Sequence, residues 1–180
     1  VGDVMYDVAL LFAESIDKKK TLARFNLSEK GFLLATIHRQ ENCSDTNRLA
    51  GIVEGFSRLA DKMPVIFPLH PRTANLIAKL PARLKHPNIR FVDPLSFLDM
   101  GALEQAASVI FTDSGGVQKE AYFHKVPCVT IREQTEWIET VSTGANRLVG
   151  TSPDSILAGY EDALAVGEGC YPPQYGDGKA

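Results

Sequence analysis

Ser108-Val109-Ile110-Phe111-Thr112-Asp113-Ser114-Gly115-Gly116-Val117-Gln118-Lys119-Glu120 is the stretch whose reading decides the fold. It begins as a short apolar run rich in β-branched residues, as in a strand buried on both faces. From Val117 to His124 it reads as a helix. Between the two, Asp113-Ser114 and two glycines make a tight strand-to-helix turn. Such a turn aims backbone N–H groups and the positive end of a helix dipole at one point, a geometry that binds phosphate. Ser114 can add a hydroxyl donor. Gly115 and Gly116 let the backbone approach a ligand with no Cβ in the way. Glu120, nearly two turns in, can accept from two neighbouring ribose hydroxyls, as an acidic residue does in dinucleotide-binding folds. A capped helix with a glycine turn and no ligand is the plainer reading of the same residues.

The pattern repeats outward from there. Phe32–Ile37, Val65–Leu69, Ile89–Val92, Pro127–Ile131 and Arg147–Gly150 read as further short strands. Pro68 belongs at the end of its strand or on an edge. Leu49, Ile52, Val53, Phe56, Leu59 and Ala60 recur at helical spacing behind Asp45, a suitable cap. Helices are also expected near Thr73–Leu80 and over Phe97–Ala107, and from Ser152-Pro153 onward in the usual cap-then-proline order. Alternating strands and helices predict an α/β domain, a Rossmann-like parallel sheet with helices on both faces. Three segments are expected: 1–30 as a connector helix and linker, 31–166 as the domain, and 167–180 as a tail cut short before a final helix.

In such sheets ligands sit beyond the carboxyl ends of the strands. Polar clusters there carry the chemistry. His38-Arg39-Gln40-Glu41-Asn42 follows the first strand. Arg39 and His38 could neutralise a diphosphate, or His38 could give a proton to a departing phosphate. A solvated loop with a structural histidine is the alternative. Leu69-His70-Pro71-Arg72 follows the second strand, where His-Pro can simply shape a turn. Arg132-Glu133-Gln134-Thr135-Glu136-Trp137 follows a later one, and Trp137 can be core or can stack on a ligand ring.

Composition narrows the classes. The 180 residues carry a formal net charge of −3, so no broad basic surface is offered to nucleic acid or to an anionic membrane. No apolar run approaches the roughly 20 residues of a membrane span. Cys43, Cys128 and Cys170 are far apart, which argues for three reduced thiols rather than disulfides or zinc. No signal-peptide pattern is visible, and the cytoplasm is the expected location. Walker A, GxGxxG and HExxH are all absent from the sequence, so no metal and no cofactor are expected.

Taken in order, these strings resemble the non-hydrolysing UDP-N-acetylglucosamine 2-epimerase family. The matching elements are His38-Arg39-x-Glu41-Asn42, His70-Pro71, Asp93-Pro94-Leu95, Thr112-Asp113-Ser114-Gly115-Gly116-x-Gln118-x-Glu120-Ala121, Arg132-x-x-Thr135-Glu136 and Asn146-Arg147-Leu148-Val149-Gly150. The opening Val1–Asp7 resembles the family's inter-domain connector. The resemblance implies the second domain of a glycosyltransferase-B-type two-domain enzyme, in which UDP is eliminated from the sugar nucleotide and added back with inversion at C2. It implies that Ser114, Gly115 and Gly116 hold phosphates, that Glu120 holds the ribose and that His38 assists departure of UDP. Met100 stands where an aromatic residue often lies near uracil. Arg39 and His70 match positions tied to a second, activating UDP-N-acetylglucosamine. The implied partners are a UDP-sugar substrate, a missing N-terminal domain and a second copy in a homodimer. Trp137-Ile138 stands where many members have Arg-Pro. This variant is similar to relatives acting on 2,3-diacetamido-2,3-dideoxy-glucuronate nucleotides. A glycosyltransferase of the same architecture is an alternative, although no spaced glutamate pair of the kind frequent in its retaining members occurs here. A non-catalytic nucleotide-sugar sensor is another.

Overall fold

The computed structural model describes residues 3–176. Six four-residue strands form one parallel sheet: β1 (Leu33–Thr36), β2 (Val65–Pro68), β3 (Ile89–Val92), β4 (Val109–Thr112), β5 (Cys128–Ile131) and β6 (Asn146–Val149). Their order across the sheet is β3-β2-β1-β4-β5-β6, and every neighbouring pair is parallel. The expected Rossmann-like α/β sheet is therefore the observed one. Pro68 closes β2, so its missing N–H costs the ladder little.

Every residue of β1, β4 and β5 is buried, which explains why these runs are apolar on both sides. Alternate side chains feed two cores. Leu33, Val65, Phe67, Val109, Phe111, Val129 and Ile131 join the first, with α4 (Thr46–Ala60), α5 (Pro71–Ala78) and α9 (Pro153–Leu164). Phe56 of α4 sits edge-on to Phe67 and to Phe111, at 5.6 and 5.5 Å between ring centroids. On the opposite face Leu34, Ile66, Ile110 and Cys128 pack with Leu22, Leu103, Ala106 and Ala121, from α2 (Lys18–Arg24), α6 (Phe97–Ala106) and α7 (Gly115–Phe123). The α9 helix lies very close to the sheet. A Cβ on Gly159 would come within 2.7 Å of Val149 and 2.9 Å of Val129.

Caps follow the sequence signals. Asp45 accepts from the backbone N–H groups of Asn47 and Arg48 at 2.8 and 3.2 Å. Ser152 accepts from Ser155 N at 3.2 Å, with Pro153 in the first turn.

Among the described residues three short α-helices go beyond the sequence expectation. Residues 17–30, read as a polar linker, contain α2. Its Thr21 hydroxyl and Arg24 guanidinium donate to the carboxylate of Asp99 on α6, at 3.0 and 3.1 Å. Only Thr21 and Leu22 of that helix are buried, so three leading lysines hide it from periodicity. The others are α3 (Gln40–Cys43) and α8 (Ile138–Ser142), both too short to show a stripe. Ahead of α2, α1 (Val4–Ala13) has no buried residue. It is tied to α7 by a Lys119–Asp3 ion pair and by Tyr6 against Phe123, 5.0 Å between rings. In the tail, Tyr171 and Tyr175 pack edge-on against Tyr122. Val1-Gly2 of the supposed connector and residues 177–180 of the tail lie outside the described residues.

Candidate functional site

Strand order reverses between β1 and β4, the central pair. Chains leaving their carboxyl ends move apart and open a crevice, the switch point at which α/β sheets bind ligands. The His38–Asn42 cluster leaves β1 here, and the Asp113–Gly116 turn leaves β4.

A single buried carboxylate joins the two. Asp113 accepts from the backbone N–H of His38 at 3.1 Å, from that of Arg39 at 3.0 Å and from Asn42 Nδ2 at 3.0 Å. Arg39 Nε returns a bond to the Asp113 carbonyl at 2.8 Å. Below them the hydroxyls of Thr36 and Thr112 pair at 2.7 Å across the two strands. The loop after β1 is thereby held against the turn after β4. His38 itself is exposed. Its Nδ1 lies 3.6 Å from the Asp113 carboxylate, and more than half of the side chain is exposed.

The turn opens α7 as the sequence predicts. Ser114 caps the helix toward Val117 N at 3.5 Å. Gly115 has a steric reason to be glycine: a Cβ there would lie 3.1 Å from the indole nitrogen of Trp137. That nitrogen is buried and has no acceptor. The Trp137 ring is also the platform for Lys119, whose Nζ is 4.3 Å from the ring centroid. Behind the turn, Gln118 Oε1 accepts from Thr135 Oγ1 at 2.6 Å and from Asn146 Nδ2 at 3.1 Å, and Gln118 Nε2 donates to the Ser114 carbonyl. Arg132 grips Glu136 through two bonds, at 2.8 and 3.0 Å, which hold the Glu136 carboxyl down to about 2. Arg39 Nη2 lies 3.8 Å from the same carboxylate.

On the other side of the α7 start lies a cavity of about 820 Å³. Thr36, Ile37, His38 and Cys43 form one wall, Leu69, His70 and Thr73 another, and Pro94, Leu95, Met100 and Val117 the apolar end. His38, His70 and Met100 thus share one cavity. Ser114, Gly115 and Gly116 stand at the α7 start beside it. Arg39 and Trp137 lie on the β5 side of that turn. Glu120 faces α6, where it meets Glu104 in a niche that also touches Met100. Burial raises Glu120, and it raises Glu104 well above the usual carboxylate range.

Sequence reasoning assigns no role to Asp113, Asn42, Gln118, Thr135, Asn146 or Glu104. All but Glu104 lie in the motif strings quoted above, and Glu104 lies in none. Only the fold shows that these polar side chains point inward to one another.

Fold and crevice together define a Rossmann-like α/β domain with an anion-ready turn at its switch point. The family profile described as UDP-N-acetylglucosamine 2-epimerase matches residues 1–180, and the chain belongs to that family. It is 46% identical over 165 residues to the UDP-2,3-diacetamido-2,3-dideoxy-D-glucuronate 2-epimerase of Pseudomonas aeruginosa, an alignment covering 91% of this chain and 45% of that one. It is 44% identical over 185 residues to a UDP-N-acetylglucosamine 2-epimerase homolog of Methanococcus maripaludis, covering 100% of this chain and 51% of that one. The crystal structure of Methanocaldococcus jannaschii UDP-GlcNAc 2-epimerase in complex with UDP-GlcNAc and UDP superimposes with a TM-score of 0.85 at 36% identity, over 99% of this chain and 51% of that one. The chain spans about half the length of the curated relatives it matches. Among the described residues no helix is long and apolar enough to cross a membrane.

Proposed function

We propose that this chain is the UDP-binding C-terminal half of a nucleotide-sugar 2-epimerase, with residues 31–166 as the binding unit. The observation that carries the reading is the crevice itself. A glycine turn, a helix start and the His38-Arg39 loop converge there through Asp113. The diphosphate lies at Ser114-Gly115-Gly116, the ribose reaches Glu120, and the uracil occupies the apolar end of the cavity by Met100. Arg39 and His70 are the contacts for a second, regulatory nucleotide sugar.

In the reaction, a base removes the C2 proton while the C1–O bond to UDP breaks, leaving a glycal. UDP then adds back at C1, and a proton returns to the opposite face of C2. Negative charge grows on the departing diphosphate. The α7 N–H groups and Arg39 meet that charge with dipoles and a guanidinium already in place. His38 lies at the same edge and supplies a proton or a hydrogen bond to the leaving oxygen. The groups that move the C2 proton belong to the other half of the enzyme, across the cleft of a glycosyltransferase-B-type arrangement. A cytoplasmic homodimer is the expected assembly.

Incubating the intact protein with UDP-N-acetylglucosamine and following it by proton NMR tests the reading. UDP-N-acetylmannosamine is the expected product. The Pseudomonas relative and Trp137 favour a second substrate, UDP-2,3-diacetamido-2,3-dideoxy-glucuronate, which belongs in a parallel reaction. Turnover of neither substrate would refute the epimerase reading.

A further inference from the structure

Glu104 on α6 and Glu120 on α7 line one small niche between the helices, where their side chains interact. Glu104 is 2% exposed, and its Oε1 is buried without a donor. Glu120 is half-buried and opens toward the niche beside Met100. Two carboxylates this close and this dry cannot both be charged, so a proton stays with the pair. Burial decides where. It acts most strongly on Glu104, and the neighbouring Glu120 charge adds to it. For Glu120 the bond from Glu104 opposes the rise that burial causes.

Among the described residues no cation nearby removes the need for that proton. His124 Nε2 is 3.9 Å from Glu104, but burial and the charge of Lys30 hold His124 down to about 4, so it is neutral at pH 7. The Lys30 ammonium is bound to the carbonyls of Gln105 and Ala107. Lys119, although on α7, turns away to Asp3. Behind the pair on β5, burial pushes the Cys128 thiol up to about 12, so it stays neutral. The α1 side of the niche is apolar, formed by Ala9 and Phe12.

We propose that Glu104 is a positioning residue for Glu120: it donates the single shared proton of the pair and thereby presents Glu120 as an oriented anionic acceptor to the ribose of a uridine nucleotide. This rests on the ribose assignment made above. Without Glu104, Glu120 keeps its charge but loses the bond that fixes its rotamer.

Calorimetric titration of UDP into the intact protein tests it, with Glu104→Gln, Glu104→Leu and Glu120→Ala beside the wild type. The amide introduced by Glu104→Gln is neutral, as protonated Glu104 is, and still donates to Glu120. Affinity in Glu104→Gln should therefore stay near the wild-type value, because a neutral donor still faces Glu120. Titration of UDP's own phosphate is common to all variants, so the difference between proteins is what counts. Glu104→Leu, with no donor, should bind UDP more weakly at every pH. A Gln variant that binds as weakly as the Leu variant, or a Leu variant with undiminished affinity, overturns the proposal. Unchanged affinity in Glu120→Ala would instead remove the ribose assignment, so the two failures are distinguishable.

Discussion

Replacing Asp113 by Asn is the sharpest probe of how the crevice is held. One carboxylate oxygen accepts from Arg39 N and Asn42 Nδ2, both at 3.0 Å, and the other accepts from His38 N at 3.1 Å. An amide has only one acceptor. Whichever way it is turned, its NH₂ group meets a buried N–H. At least one bond to a charged group is lost, worth about 1.5–3 kcal/mol, and a donor is left facing a donor. We expect Asp113→Asn to destabilise the protein by about 2–4 kcal/mol. With a urea dependence of about 2 kcal/mol per M, the midpoint should fall by about 1–2 M. Urea denaturation followed by circular dichroism measures this, with Asp45→Asn as the control. That exposed cap should change little, because Asn caps about as well as Asp. UDP affinity of the folded Asp113→Asn protein should also drop, since the loop after β1 loses its anchor. A midpoint within about 0.3 M of wild type would refute the view that Asp113 ties the two loops together.

His38→Ala should lower turnover of the intact enzyme by on the order of 10²–10⁴ if the ring supplies a proton, and near-normal turnover would make it structural. Trp137→Arg should shift the ratio of kcat/KM values between the N-acetylglucosamine and diacetamido-glucuronate substrates; an unchanged ratio would place Trp137 in the core alone. The 180-residue chain on its own should fold, because the sheet closes two cores without a second domain. Circular dichroism and UDP titration check this. We expect weak UDP binding and no epimer, glycal or free UDP by NMR after overnight incubation, and substantial turnover would place the catalytic acids within this chain.

The strands and long helices are legible because burial on both faces leaves uninterrupted apolar runs, and α4 keeps a clean stripe from Leu49 to Ala60. The glycine turn is legible because Gly115-Gly116 follows such a run directly. Short elements are not. In α2, α3 and α8, length falls below what periodicity can reveal, and α2 is bonded largely through Asp99, seventy-odd positions away in the chain. The same distance hides the polar interior of the site. Asp113 looks like any turn aspartate until β1 and β4 are placed side by side. Glu104 looks like an ordinary helical glutamate, and only the packing of α6 on α7 turns it inward. Periodicity alone allows Trp137 to be either core or ligand platform. It lies between Gly115 and Lys119, beside the glycine turn on one side and a cation on the other.

The polar seam behind α7 has a consequence for how this family can drift in sequence. Gln118, Thr135, Asn146, Thr140 and Thr130 form one branched network centred on Gln118 and Asn146. Thr130 Oγ1 donates to Asn146 Oδ1 at 2.8 Å, and Asn146 Nδ2 serves both Gln118 and Thr140 at 3.1 Å. Each member is bonded to at least one other, so a change at one strands a buried partner. Mutational tolerance at these five positions should therefore be collective. Single replacements will be harsh, while a few double replacements that remove donor and acceptor together will be far milder than the sum of their parts. Homologous sequences should show the five positions changing in concert or not at all, and that correlation would trace the path by which the Trp137 loop is kept in register with the glycine turn.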